Sequence, residues 1–149
     1  MSLKRQDILV TLKLLVRGGL DCTFAQLGRE LGISASEANQ AFHRARQAGL
    51  IHSLEDVAIE SSVVELLIHG LKYVFPVQPG RRTRGMPTGF AAPPLKQFFK
   101  VVRDDPNLPV WPDPAGEYAG VEIKPLCRSV PDAARRDPKL YEWLVLADA

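Results

Sequence analysis

The chain has 149 residues, of which 46% are hydrophobic and 24% are charged, and its formal net charge is +2. This length suits one ordinary globular domain and is too short for two large ones, and the apolar fraction is too high for a disordered chain. No apolar run approaches the roughly 18 residues that cross a bilayer, and the first residues do not lead into a signal-peptide core, so we expect a soluble cytoplasmic protein without a membrane partner.

Charge and proline are distributed unevenly along the chain. Residues 1–52 sum to +3 and residues 77–103 to +6, whereas residues 53–76 and 104–149 sum to −3 and −4. The two basic segments either meet on one surface that suits a polyanion or remain separate solvated stretches. All 12 prolines lie at or after Pro76, so we expect a helical first half and a second half of strands, turns and short helices. The predicted fold class is therefore α+β.

The first predicted helix runs from Gln6 to Arg17 and stops at Gly18 and Gly19. Its apolar stripe consists of Ile8, Leu9, Leu12, Leu15 and Val16. Val10 and Leu14 lie outside this stripe and, together with Leu3, define a second, narrower apolar face. That face is either a dimer contact or part of one core.

Two further helices follow, joined by a tight turn. Thr23 is predicted to cap a short helix, with Gln26 three residues later as its reciprocal capping partner. This helix ends at Leu31 before Gly32. Ser34 and Glu37 repeat the arrangement for a helix that runs to Ala48, with Gly49 as its terminator. The positions predicted to be buried between these helices are Phe24, Leu27, Leu31, Ile33, Ala38, Phe42, Ala45 and Ala48. Two capped helices joined by a short glycine turn are expected to cross steeply.

The stretch TFAQLGRELGISASEANQAFHRARQAGLI, residues 23–51, resembles the DNA-binding core of MarR-like winged helix-turn-helix regulators. The resemblance implies that the second of these helices is a recognition helix whose exposed residues enter the major groove. The predicted DNA contacts on it are Ser36, Asn39, Gln40, His43, Arg44 and Gln47. Asn39 and Gln40 would pair with adenine edges, Arg44 with guanine or phosphate, and Ser36 with phosphate. The alternative for each is a solvated helix residue.

The next segment is a candidate wing. Residues 61–69 are predicted to form a buried helix closed by Gly70, and residues 71–75 and 88–92 to form two short strands. The intervening loop holds Arg81, Arg82 and Arg84, which would touch phosphates or the minor groove at a wing tip. The alternative is a loop kept soluble by its charge. In an ordinary winged domain the hairpin follows the recognition helix directly, whereas here about 20 residues and a helix intervene.

Residues 69–95 are similar to a stretch in a poorly characterised subgroup of prokaryotic MarR-like proteins. Some of these relatives are encoded beside nucleotidyltransferase-like toxins, so the similarity implies an antitoxin as an alternative role.

The remaining residues predict an extension that packs on the first part. Pro93 and Pro94 open an amphipathic helix that carries Leu95, Phe98, Phe99 and Val102 on a core face and Lys96, Lys100 and Arg103 on a basic face. Residues 108–126 predict a hairpin with its turn at residues 113–116. Asp137 caps a last helix with Leu140, Trp143, Leu144 and Ala147 inward. The predicted division is a DNA-binding domain, residues 1–92, and an extension, residues 93–149.

Catalytic patterns are absent from the sequence. It offers no nucleophile with a base, no carboxylate pair and no phosphate-cradling glycine loop. His52 with Glu55 and Asp56 is the one cluster that could touch a metal, and a loop histidine is the simpler interpretation. We therefore expect no enzyme, no cofactor and no metal. The sequence favours a homodimeric transcriptional regulator that binds double-stranded DNA, and the alternative is an interaction module that binds a partner such as a toxin protein.

Overall fold

A computed structural model of the chain describes residues 2–102 and 105–149. The predicted α+β class is confirmed. The α-helices are α1 (Arg5–Arg17), α2 (Phe24–Leu31), α3 (Ala35–Gln47), α4 (Glu60–Glu65), α5 (Leu71–Val74), α6 (Val130–Arg136) and α7 (Pro138–Asp148), and the strands are β1 (Arg82–Pro87), β2 (Pro109–Pro112) and β3 (Tyr118–Glu122). A π-helical turn, Leu66–Gly70, joins α4 to α5, and 3-10 turns occupy Gly89–Ala91 and Leu95–Phe98. Within the described ranges, every helix is too short or too polar to cross a membrane.

The first three helices form as their local signals predict. The Thr23 hydroxyl accepts a hydrogen bond from the backbone N–H of Gln26 at 3.1 Å, which caps α2. The helix ends at Gly32, whose φ of 73° is the left-handed conformation that favours glycine. Val10 and Leu14 of α1 are fully buried, so they belong to one core and offer no second apolar face.

The helical path from α4 continues further than predicted. Gly70 does not end it, because its backbone stays helical with φ −117° and ψ −37°, and the π-helical turn leads directly into α5. The strand predicted for residues 71–75 is therefore wrong. The prediction of a buried helix is also wrong for most of this path, since Val63 and Leu71 are buried while Ile68 is 58% exposed. One side of the path packs against the core and the other is open to solvent.

The sheet is small, and each strand pairs with both others. Strand β1 is antiparallel to β2 and to β3, and β2 and β3 pair parallel to each other. The turn predicted at residues 113–116 is present, with the N–H of Gly116 donating to the carbonyl of Asp113 at 3.0 Å. The predicted hairpin is wrong, because the strands on either side of this turn pair parallel to each other and each takes β1 as its antiparallel partner.

Two other predictions for this half are wrong. The predicted wing hairpin does not form: residues 82–87 are a strand rather than a loop tip, and Gly89–Ala91 is a 3-10 turn. The amphipathic helix predicted from Pro93 reduces to the 3-10 turn at residues 95–98, and Phe98 and Phe99 are 73% and 53% exposed instead of buried. Arg103, the last residue of that predicted helix, lies outside the described residues.

Helix α7 connects the two halves of the chain. The Asp137 carboxylate accepts a hydrogen bond from the N–H of Leu140 at 3.3 Å, which caps the helix as predicted. Leu140 and Leu144 are buried against α1, and Lys13 of α1 contacts Asp137 at 2.7 Å. Apolar side chains from α1–α3, β2, α6 and α7 form one hydrophobic core.

A largely buried carboxylate links α7 to the sheet. The Thr88 hydroxyl and the Trp111 indole N–H both donate to Oδ2 of Asp148, each at 2.6 Å. Burial raises the pKa of Asp148 from 3.8 to about 6, because desolvation outweighs the two hydrogen bonds, which lower it. The folded protein therefore holds this proton more tightly than the unfolded chain does.

This difference predicts a contribution to stability that changes with pH. Below about pH 4 the group is protonated in both states, and as the pH rises towards 6 only the unfolded chain gains by ionising. Relative to Asp148→Asn, we expect the wild-type free energy of unfolding to fall between pH 4 and 6.5, by up to about 3 kcal/mol, and to stay level above that. Urea unfolding at several pH values measures the difference.

Glu142→Gln is the matched control, because Glu142 is an exposed position of the same helix. A difference in stability between wild type and Asp148→Asn that is constant from pH 4 to 7.5 would contradict the assignment.

Candidate nucleic-acid interface

Helices α2 and α3 cross closely, and a glycine permits the crossing. A Cβ on Gly28 would lie 2.5 Å from the carbonyl oxygen of Ile33 and 3.1 Å from the backbone of Ser34. The same residue accepts the hydrogen bond from the N–H of Ile33 at 2.9 Å. Because real side chains do not tolerate a 2.5 Å contact with backbone, only glycine allows α2 to approach the turn this closely. The arrangement is a helix-turn-helix, as the capping signals predict.

The start of α3 is held by a reciprocal capping box. The Ser34 hydroxyl accepts from the N–H of Glu37 at 3.0 Å, and the Glu37 carboxylate accepts from the N–H of Ser34 at 3.2 Å. The Gln6 side-chain amide also donates to Glu37, and with the Ser34 contacts it holds the pKa of that carboxyl below its usual range. The N-terminal end of α3 is therefore fixed to α1.

Five of the predicted contact residues on α3 are exposed, as expected: Ser36, Asn39, Gln40, His43 and Gln47. They form a surface of polar side chains on the side of the helix away from the core. The Gln40 amide lies 3.4 Å from the Ser36 hydroxyl, and the His43 ring packs edge-on against Phe42 with 5.3 Å between centroids. Amide side chains at such positions match the donor and acceptor pattern of adenine in the major groove.

Arg44 is the exception, and its predicted role is wrong. It is 8% exposed, and its guanidinium binds the fully buried carboxylate of Asp7 through Nε at 2.9 and 3.0 Å and Nη2 at 2.8 Å. Arg44 is therefore a link between α3 and the first turn of α1 and is not available to a base. Sequence reasoning missed the pair because its partner is 37 residues away and on another helix.

This buried ion pair yields a prediction about stability. Arg44→Ala leaves the Asp7 carboxylate buried without its main partner, so we expect the free energy of unfolding to fall by about 3–5 kcal/mol. The double variant Asp7→Leu/Arg44→Met removes both charges, and we expect it to recover much of that loss. Thermal and urea unfolding measure both effects.

Gln47→Ala, on the exposed side of the same helix, is the control and should change stability little. If Arg44→Ala were as stable as the wild type but no longer bound DNA, the result would contradict this role and indicate that Arg44 contacts DNA.

A short hairpin directly follows α3, where sequence reasoning predicted none. Ile51 and Ala58 form a β-bridge, and the N–H of His52 donates to the carbonyl of Val57 at 2.8 Å. Its tip is exposed and acidic, with Leu54 86% exposed beside Glu55. The sequence does carry a signal for this hairpin, because apolar pairs at residues 50–51 and 58–59 flank a polar turn. Negative charge at the tip does not favour contact with phosphate.

The histidine side chain in this hairpin stabilises the turn. Nδ1 of His52 accepts hydrogen bonds from the backbone N–H groups of Leu54 and Glu55, each at 3.3 Å. Over the described ranges, no group of three or more His, Cys, Asp and Glu side chains has a geometry that could hold a metal ion.

The three predicted arginine contacts lie on another part of the molecule. Arg82 and Arg84 belong to β1 and Arg81 precedes it, and all three are exposed. The sheet contacts α7 through Trp111, whose ring centroid lies 5.7 Å from that of Tyr141, and β1 has no extensive contact with α2 or α3. The structure therefore does not join these arginines to the α3 surface, and their contact with DNA stays a prediction. No family model, curated protein or solved structure matches the chain.

Proposed function

We propose that the protein binds double-stranded DNA through α2 and α3 and acts as a transcriptional regulator. The observation that carries this proposal is the row of exposed polar side chains on a capped helix that follows α2 after a close turn, which Gly28 permits. The resemblance of residues 23–51 to MarR-like regulators supports the same function.

In this proposal the N-terminal half of α3 enters the major groove. Asn39 and Gln40 are placed to form paired hydrogen bonds with adenine edges, and Ser36 to contact a phosphate near the helix start. The Asp7–Arg44 pair sets the rotation of α3 that keeps these side chains outward. In this proposal, α3 recognises DNA through its shape and its hydrogen-bonding side chains more than through charge.

The test separates base contacts from general affinity. We expect Asn39→Ala or Gln40→Ala to weaken binding to the cognate site by about 1–3 kcal/mol and binding to a scrambled duplex much less, because only the cognate contacts are lost. Fluorescence anisotropy with a labelled duplex from the protein's own upstream region measures both affinities.

Gln78→Ala is the matched control, since Gln78 is an exposed residue outside α3. Equal losses on the two duplexes would show that these residues do not read sequence. If the wild-type protein bound no duplex at low salt, the proposed function would be wrong.

The second candidate function is binding of a protein partner, and an exposed apolar surface favours it. A groove of about 440 Å³ lies between the α4–α5 path and α7 and is lined by Val64, Leu67, Ile68, Trp143 and Leu146. Ile68, Tyr73 and Val74 are at least half exposed along that path. Contiguous apolar surface of this kind marks interaction sites in soluble proteins. A second copy of the chain is the occupant that suits a helix-turn-helix regulator, and a toxin protein is the alternative.

Ile68→Glu tests the homodimer. Placing a charge in the groove should disfavour burial of this surface, so we expect wild-type protein at micromolar concentration to have twice the chain mass of 16.5 kDa and the variant to be monomeric. Multi-angle light scattering measures the mass.

Leu54→Glu is the control, because Leu54 is equally apolar and more exposed but lies at the acidic hairpin tip. A monomeric wild type would exclude the homodimer through this groove.

A further inference from the structure

Several basic residues of the helical half have acidic partners, whereas the described basic residues around β1 do not. In α1 and α3, Lys13, Arg17, Arg44 and Arg46 each contact an Asp or Glu side chain within 3.5 Å. The described basic residues of the second segment, namely Arg81, Arg82, Arg84, Lys96 and Lys100, are all exposed, and none of them pairs with an acidic side chain of the described ranges. Exposed cations such as Arg29 and Lys139 also occur on α2 and α7, but the segment from Arg81 to Lys100 carries five of them with no acidic residue between them.

One face of β1 has a regular geometry and is exposed at Arg82 and Arg84, while its last member, Met86, is partly buried against the core. Arg82, Arg84 and Met86 alternate with Thr83 and Gly85, so they share one face of the strand. Successive members of this row are about 6.5 Å apart, roughly the separation of neighbouring phosphates along one nucleic-acid strand. Two arginines on backbone positions at this spacing suit a polyanion with a repeating backbone.

The row leads into a cleft. Met86 lines a cavity of about 370 Å³ together with Lys96, Glu117, Tyr118, Arg135 and Tyr141. This volume lies in the range of small-molecule sites, and its walls combine two phenol rings with Lys96, the Glu117 carboxylate and an Arg135 guanidinium that already pairs with Asp113 and Asp132. Planar rings and polar groups of both signs suit a nucleobase, which presents an aromatic face together with donors and acceptors on its edge.

Exposed aromatic side chains lie on the segment that follows β1. Phe98 and Phe99 are more than half exposed, and Phe99 packs 5.8 Å from the ring of Phe90, in the turn after β1. The segment that bears them stays close to β1: Lys96 shares the cleft with Met86, and the Pro106 carbonyl accepts a hydrogen bond from Arg82 at 3.5 Å. Large exposed aromatic rings beside unpaired cations are the elements of a stacking platform.

We propose that this surface, formed by Arg82, Arg84, the cleft at Met86, and Phe98 and Phe99, binds single-stranded nucleic acid. The arginines contact successive phosphates, one base enters the cleft and others stack on the phenylalanine rings. A duplex would use the cations but leave the rings and the cleft without partners, because its bases are already stacked. An anionic membrane has no fixed phosphate spacing to match the strand. The site is separate from α3, so a test of single-strand binding here does not depend on whether α3 binds duplex DNA.

The experiment measures binding of labelled oligo(dT) and oligo(U), each about 15 nucleotides long, and of a duplex of the same length, by fluorescence anisotropy over a salt series. We expect at least one of the single strands to bind more tightly than the non-cognate duplex. Arg82→Gln/Arg84→Gln should lower that affinity and make the salt dependence shallower by about 1.4 units, at about 0.7 per lost phosphate contact. Phe98→Ala should weaken it about 5- to 100-fold with the salt slope unchanged.

Arg29→Gln/Lys139→Gln removes two exposed cations from α2 and α7 and is the matched control, expected to keep single-strand affinity. Asn39→Ala should also keep it, which distinguishes this site from the duplex surface. Three results would overturn the proposal: preference for the duplex, unchanged single-strand binding in both test variants, or binding only to vesicles of phosphatidylserine and phosphatidylcholine.

Discussion

The buried ion pair between Asp7 and Arg44 is the interaction on which the arrangement of the helical half depends. Removing two charges from water costs several kcal/mol for each ion, so the pair is tolerated only because the guanidinium makes three close contacts and the carboxylate also accepts the N–H of Lys4 at 2.8 Å. The Lys4 contact is local to α1, but the guanidinium contacts require the N-terminal turn of α1 to lie directly against α3. The pair therefore fixes how α3 is rotated about its own axis.

That rotation determines the character of the α3 surface. With Arg44 turned inward and Arg46 beside Asp56 at 3.5 Å, the outward side chains are amides, a hydroxyl and an imidazole. Counting charges along the sequence assigns +3 to residues 1–52 and suggests a basic face. Two of these cations, Lys13 and Arg46, are balanced by Asp137 and Asp56, which lie outside that segment, and Arg44 is buried. Base recognition by hydrogen bonding is thus a better match to α3 than electrostatic attraction to the backbone.

The sequence was informative where structure depends on neighbours along the chain. Caps at Thr23, Ser34 and Asp137 are local contacts over three residues, and all three are present. Strand β1 was missed because its partners are residues 109–122, and pairing over that distance leaves no local trace. The helix through Gly70 was missed because a glycine ends a helix only when it adopts the left-handed conformation, which tertiary packing decides.

The same distinction applies to the candidate sites. The outward positions of α3 followed from helical periodicity, and only Arg44, which has a distant partner, departed from it. The arginines were identified as a basic cluster, but their strand spacing and the cleft at Met86 depend on β1, whose C-terminal neighbour Thr88 is bound to Asp148 of α7. One surface is therefore oriented by an ion pair to α1 and the other by a carboxylate on α7. Because different contacts hold them, a change that disturbs one surface need not disturb the other, and the two kinds of nucleic acid can be examined separately in the same protein.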